Sequence, residues 1–360
     1  MSDAKFPKLF IPGPVHVDDE ILRAMGSYPL GHRTSEFRAL YGRLIPKLKQ
    51  ILFCSERVFV MTNSGTGIME ACIRNLVKGR VLNLVCGAFS DRWHKIAKAC
   101  AKPADAVSVP WGMANKPEAV DAALATGKYD TVTVVHNESS TGVMNPVAEI
   151  GQLVRRKYPD VLVCVDTVSS MAGAPMKFDE WGVDVMLASC QKAWGLPPGI
   201  AIAAVSQRAL ERAKTVEGRG EYFDFLLYAK SDDNSETPNT PSTSHFVALD
   251  LQCDRILREG IEARWARHRR LAEKVRGWAR RRWELFPEPG YESLTLTCIK
   301  NPGPLDVEGL IKAIFKKHNA RLANGYGDLK NKTWRISHMA DLQDGDIDEL
   351  IGWIEAELAG

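Results

Sequence analysis

Two side chains in this 360-residue sequence have the type and setting for covalent chemistry on a carbonyl, Asp166 and Lys192. Asp166 ends the apolar run Val161 to Val165, and Lys192 follows 192 − 166 = 26 residues later in SCQKAWGLPPG, a turn stiffened by prolines and glycines. An amine condenses with an aldehyde, and a carboxylate facing a pyridine nitrogen keeps that ring protonated and electron-withdrawing, which is what pyridoxal phosphate requires of a protein. The amine must also be free to act as a base, which partial desolvation favours by lowering its pKa. Taken singly, each residue also suits a plainer role, the Asp as a cap for the next turn and the Lys as a loop cation.

The loop Ser64-Gly65-Thr66-Gly67 follows one strand-like run and opens into a helical stretch from Ile68 to Leu76. Glycines admit close backbone approach, hydroxyls add donors, and a helix N-terminus offers free N–H groups with partial positive charge, so the loop can cradle a phosphate. A glycine turn is equally an ordinary way to start a helix. The spacing matches neither a P-loop nor GxGxxG, which disfavours nucleotide triphosphate chemistry. His136 precedes Glu138 and Ser139 at a strand end and could line the pocket, but it has no partner at ligand spacing, so no metal is expected. Ser139-Ser140 and Ser169-Ser170 lie outside any G-x-S-x-G elbow.

The elements that must position these residues alternate between short β-branched runs and helical patterns. Runs at Arg57 to Met61, Arg80 to Val85, Thr131 to Val135, Val161 to Val165, Val183 to Leu187 and Ile200 to Val205 predict an α/β protein with a three-layer α/β/α domain and a mainly parallel sheet. The unusual residues cluster just after those runs, at the carboxyl ends where such sheets carry chemistry. Helical spacing is also expected from Asp18 to Leu52, broken around Gly31-His32-Arg33. The polar segment Ser231 to His245 reads as a flexible linker. After it come a long helix, Phe246 to Trp283, a strand near Ser293 to Ile299, a helix from Asp306, a strand at Thr333 to Ser337 and a closing helix from about Asp344, a smaller C-terminal α+β domain. The arginine-rich stretch Arg264 to Arg282 is expected to be a solvated helix of that domain, since acidic neighbours dilute it.

Composition narrows the partners. Lys+Arg 47 against Asp+Glu 44 leaves +3, too slight a charge to argue for nucleic acid. No stretch approaches the roughly 18 continuous apolar residues of a membrane span. The eight cysteines are scattered without a CxxC pair and read as reduced thiols, and MSDAKFPKLF has no signal-peptide pattern, so a cytoplasmic protein is expected.

The lysine segment SCQKAWGLPPG resembles the cofactor-lysine motif of class V (fold type I) pyridoxal-phosphate aminotransferases, the group with alanine–glyoxylate and serine–pyruvate aminotransferases. PGPVHV, GHRTSEF, SGTGIMEA, GAFSDRW, HNESSTG, VDTVSS, TPNTPST and GYGDLKNKTWRISHMAD appear in matching order along nearly the whole chain. The resemblance implies that Lys192 carries pyridoxal 5'-phosphate and moves the proton, while Asp166 binds the pyridine nitrogen. Val168 is implied on one ring face and Phe89 on the other, where many relatives have tryptophan. Thr66, Gly67, the backbone of Ile68 and Gln191 are implied at the phosphate, and Ser139 near the phenolic oxygen. Asn239 and Thr240 are implied to reach the partner subunit's phosphate, giving a homodimer with shared sites. Arg335, with Gly13, is implied at the substrate carboxylate. The implied division is 1–20 as a substrate-site segment, 21–245 as the cofactor domain and 246–360 as the small domain.

The expected reaction moves an amino group from a small amino acid (alanine, serine or aspartate) to a 2-oxo acid such as glyoxylate or pyruvate. A 2-aminoethylphosphonate or phosphoserine aminotransferase, a lyase such as a cysteine desulfurase, and a catalytically silent scaffold are the alternatives. A desulfurase needs a mobile nucleophilic cysteine, whereas Cys298 lies in the strand-like run Leu294 to Ile299. No second basic residue can be tied to a side-chain carboxylate, which favours small neutral donors.

Overall fold

A computed structural model describes residues 6–359 except 302 and 304, so the first five residues of the expected N-terminal segment lie outside the described residues. Seven strands form the central sheet: β1 (Arg57–Met61), β2 (Val81–Val85), β3 (Ala104–Ser108), β4 (Thr131–Val135), β5 (Leu162–Asp166), β6 (Val185–Ser189) and β7 (Ala201–Val205). Their spatial order is β1-β7-β6-β5-β4-β2-β3, with β7 antiparallel to both of its neighbours and the others pointing one way. All six expected strands are present; β3 is added at the edge.

Alternation along the strands divides the sheet into two faces, as period-2 geometry requires. Val163, Val165, Ile202 and Ala204 face one apolar layer with Phe37, Leu40 and Leu44 of α1 (Ser35–Leu52). Leu162, Cys164, Ala201 and Ala203 face the other, with Ile68, Cys72 and Leu76 of α2 (Gly65–Leu76) and Trp93 of α3 (Ala88–Ala99). The result is the expected three-layer α/β/α arrangement with a mainly parallel sheet.

The long helical pattern after residue 245 divides at Gly260, whose φ of 84° breaks the helix into α4 (Thr243–Glu259) and α5 (Ile261–Ala279). The expected boundary at 245/246 falls within α4, where Phe246, Leu249, Cys253 and Ile256 pack with α1 in the large core. Leu271, Val275 and Trp278 of α5 join a second core with α6 (Val307–His318), α7 (Asp344–Ala359) and a small antiparallel sheet. That sheet has the order β8-β10-β9, from β8 (Leu296–Lys300), β9 (Ala323–Asn324) and β10 (Thr333–Ser337). Phe10 of the N-terminal segment is buried in the same core, beside a two-residue parallel pairing of Lys8–Leu9 with Ala320–Arg321.

Two expectations from composition fail. The segment Ser231 to His245 is no flexible linker: Arg33 and Arg38 pair with Glu236, Arg33 also donates to the Thr237 carbonyl, and Ser242 N–H donates to Thr62 Oγ1. Nor is α5 a solvated helix, because Arg264, Arg267 and Arg276 are buried. Arg264 donates to the carbonyls of Ala172 and Ala193 and pairs with Glu259 and Asp341. Buried guanidinium groups are tolerated where such partners satisfy their donors.

Candidate active site

The parallel strands β1, β2, β4, β5 and β6 end on one edge of the sheet, which delivers SGTG, CGAF, HNESS, DTVSS and SCQK to the same region. Because β7 runs the other way, its entry turn returns to that edge. The lysine loop is closed by Gly195 N–H donating to Lys192 O and Leu196 N–H to Cys190 O. The N-terminal segment fastens it from the other side through Val15 N–H to Gln191 O.

Lys192 is partly buried, and its amine donates to the Pro12 carbonyl. Burial brings its pKa down to about 8, helped by the positive charges of Arg335 and Arg92 and opposed by Asp166. Asp166 is buried, and the same desolvation pushes its carboxyl up to about 7, with Glu138 adding to the rise while Val168 N–H, Lys192 and Arg92 counter it. These mutual influences place Lys192, Asp166, Arg335 and Arg92 in one electrostatic neighbourhood.

Arg335 sits on β10, the central strand of the small sheet, opposite Cys298 and Ala323. Its Nε and Nη2 donate to the Asn324 carbonyl at 3.1 and 2.9 Å, and its Nη1 donates to the Ser139 carbonyl at 3.0 Å. A guanidinium has five donors, so these three bonds fix its orientation and leave an N–H on each terminal nitrogen for a carboxylate. Ser139 thus meets Arg335 through its carbonyl, while its hydroxyl donates to Ser169 Oγ.

Phe89 lies in the first turn of α3. Glu138, fully buried, holds that turn: its carboxylate accepts from the N–H groups of Phe89 and Ser90 and from the hydroxyls of Ser90 and Ser140. A carboxylate at a helix N-terminus satisfies donors that the helix leaves free. A Cβ on Gly87 would lie 2.6 Å from Glu138 Cδ, so only glycine admits this carboxylate. Glu138 was visible in the sequence only as a neighbour of Ser139; its spacing to Phe89 carries no local signal.

At the start of α2, Gly65 N–H donates to Ser189 Oγ at 2.6 Å, and a Cβ on Gly65 would lie 2.6 Å from Val168 Cγ2. The bare glycine backbone, Val168 and the end of β6 therefore share one crevice. Thr66 is exposed at the helix N-terminus, Gly67 half-buried beside Asn63, and Ile68 buried. Gln191 is half-buried, and its Oε1 is enclosed with no hydrogen-bond partner among the described residues. Gly13, at φ 114°, packs on the Lys192 side chain. Asn239 and Thr240 follow the Glu236 ion pairs: Thr240 is exposed, while Asn239 is half-buried, its O accepting from Thr237 Oγ1 and its Nδ2 enclosed with no hydrogen-bond partner among the described residues. No hydrogen bond joins either to Lys192 or Asp166 among the described residues. His136 is buried edge-on against Trp181 and bonds Ser170 Oγ, and burial pushes its pKa down to about 4.

Arg92, which sequence reading passed over, completes the wall. Its guanidinium carbon lies 4.9 Å from the centroid of Phe89, and its Nη2 donates to Tyr326 Oη at 3.1 Å. The one available signal was its place three residues after Phe89, on the same helical face.

An amine with lowered pKa, a buried carboxylate and an anchored arginine at the strand ends of a three-layer α/β domain form the kind of site that condenses carbonyl compounds with amines. A sequence model of the aminotransferase class-V family matches residues 45–278, and the chain belongs to that family. It is an aminotransferase with the type I fold. An uncharacterised aminotransferase of Methanocaldococcus jannaschii is 38% identical across 99% of this chain and 94% of its own length. Serine–glyoxylate aminotransferase of Methylorubrum extorquens is 32% identical across 93% of this chain and 87% of its own length. The structure of an alanine–glyoxylate aminotransferase from Nostoc sp. superimposes with a TM-score of 0.93 at 29% identity, covering 99% of this chain and 96% of that one.

Proposed function

We propose that this aminotransferase binds pyridoxal 5'-phosphate on Lys192 and moves an amino group from a small amino acid (alanine, serine or aspartate) to glyoxylate or pyruvate. The observation that carries the reading is structural: the strand ends bring the Lys192 loop, its amine held against Pro12 O, to the same edge of the sheet as the buried carboxyl of Asp166, and burial shifts the two groups in opposite directions. Small donors and glyoxylate are supported by the relatives named serine–glyoxylate and alanine–glyoxylate aminotransferases.

The residues fit the cofactor. Gly65 leaves room that a Cβ would fill against Val168, the enclosed Oε1 of Gln191 lacks a partner among the described residues, and the Ser64 side chain makes no cap bond at the N-terminus of α2. Thr66, Gly67, Ile68 and Gln191 would hold its phosphate, Val168 and Phe89 would cover its ring, Ser139 would approach its phenolic oxygen and Asp166 would keep its ring nitrogen protonated. Bound there, pyridoxal phosphate supplies an aldehyde carbon and an electron-withdrawing ring. Lys192 Nζ takes the α-proton of the donor and returns it, a role that its lowered pKa suits near neutral pH. Arg335 orients the α-carboxylate through its two remaining N–H groups.

The proposal extends to a homodimer in which Asn239 and Thr240 serve the partner subunit's phosphate, supported by the exposure of Thr240 and by the enclosed Asn239 Nδ2, which has no hydrogen-bond partner among the described residues. A cytoplasmic setting is supported by eight free cysteines. Among the described residues no helix is long and apolar enough to cross a membrane. The test is spectroscopic. Purified protein should carry a visible band lost in Lys192→Ala, bleached by alanine, serine or aspartate and restored by glyoxylate or pyruvate; a band that no amino acid bleaches reversibly would refute the reading.

A further inference from the structure

We infer that Arg92 and Tyr326 form a second anion subsite facing Arg335, which selects amino donors with a short side-chain carboxylate; this rests on Arg335 holding the α-carboxylate as proposed above. Arg92 is half-buried yet has no carboxylate partner among the described residues. Its neighbour Asp91 pairs instead with Lys95. Several other half-buried or buried arginines find carboxylates (Arg57 meets Asp232 and Asp233, Arg264 meets Glu259 and Asp341, Arg267 meets Glu259), and buried Arg276 and Arg335 bond backbone carbonyls instead. A guanidinium has five donors, and Arg92 uses one of them, on the Tyr326 hydroxyl.

Tyr326 fixes where the spare donors stand. Its ring centroid lies 5.2 Å from that of Phe89 and 5.7 Å from the Arg335 guanidinium carbon, while its hydroxyl accepts from Arg92. Tyr326 thus touches both cations, Arg335 near its ring and Arg92 at its hydroxyl, so the two guanidinium groups lie within reach of the ends of one short dicarboxylate. A donor with an apolar side chain leaves the Arg92 fork unmatched, a hydroxyl offers it one acceptor, and a carboxylate can accept two parallel N–H bonds. The charge of Arg92 also acts on both Lys192 and Asp166.

The test uses non-reacting acids on the holoenzyme, maleate as the dicarboxylate and propionate as the monocarboxylate, titrated by calorimetry. A charged hydrogen-bonded pair should make maleate about ten-fold or more the tighter ligand. Arg92→Gln should abolish that preference and leave propionate binding unchanged, while Arg92→Lys, which keeps the charge and loses the fork, should retain only part of it; thermal melting checks that both variants fold. Should Arg92→Gln not fold, Arg92→Lys decides alone. Equal affinity for the two acids in the wild type, or an undiminished preference in either variant, overturns the subsite. The two readings fail separately: an enzyme that shows the maleate pattern but transfers no amino group loses the proposed function and keeps the subsite. One that uses alanine and aspartate with equal kcat/KM, in the wild type and in Arg92→Gln alike, keeps the function and loses the subsite.

Discussion

Gly13 and Lys192 share a boundary with no room for another carbon: a Cβ built on Gly13 would stand 2.7 Å from Lys192 Cε, and the lysine amine bonds the carbonyl of the preceding Pro12. The segment before the first helix thus shapes the conformation of the candidate reactive amine. Gly13→Ala should displace the lysine and strain a backbone at φ 114°, at a cost of about 1–3 kcal/mol. Cofactor bound per subunit after gel filtration should fall well below the wild type, and an unchanged stoichiometry would show that the lysine adapts freely.

The shifted pKa of Lys192 sets a pH profile. Only the free amine attacks an aldehyde, so the rate at which apoprotein captures added pyridoxal phosphate should climb as pH rises to about 8 and then level off. Stopped-flow absorbance from pH 6 to 10 reads this directly; a rate still climbing at pH 10 would indicate an ordinary lysine.

Asp166 should cost the apoprotein stability as pH rises. Its folded pKa, about 7, exceeds the unfolded value near 4, so the folded state holds the proton more tightly and the associated stability is lost between those values. Asp166→Asn removes the buried charge and should melt higher than wild type at pH 8, by on the order of 1–3 kcal/mol, with no such gain at pH 4. The same variant should lose transamination. Melting curves at the two pH values give the comparison.

Glu138 is predicted to be a positioning residue for the first turn of α3. Glu138→Ala strands several buried donors and should destabilise the fold by roughly 2–3 kcal/mol, whereas Glu138→Gln keeps acceptors there and should lose less. The distinctive readout is the cofactor's circular dichroism in the visible range, which should weaken in Glu138→Gln as Phe89 loses its fixed place.

Arg335→Ala should raise KM for donor and acceptor alike by about 10- to 100-fold, the scale of a lost charged hydrogen-bonded pair, with cofactor still bound. By contrast Cys298, buried on β8 with its thiol pushed up to about 12, should be replaceable: Cys298→Ser ought to leave transamination intact. Loss of activity there without loss of fold would revive a cysteine-dependent lyase.

Much of the architecture was legible because strands buried on both faces read as unbroken apolar runs, and all six such runs lie in the central sheet. The edge strand Ala104–Ser108 escaped because it is half exposed and interrupted by Asp105, which pairs with Arg80. Polar composition misrepresented Ser231 to His245, since its order comes from Arg33 and Arg38, about 200 residues earlier in the chain. Arginine-rich composition likewise misrepresented α5, whose carbonyl and carboxylate partners lie on other elements. The strand-end loops could be listed from sequence, but not which side chains meet. The Arg335 contact with Ser139 spans 196 residues and the Arg92 contact with Tyr326 spans 234.

Arg264 stitches the residue after the lysine to the C-terminal lobe through Ala193 O and Asp341. Swinging that lobe as a rigid flap would tear a buried charge from its partners. A wholesale swing of that lobe is therefore a costly way to admit a substrate.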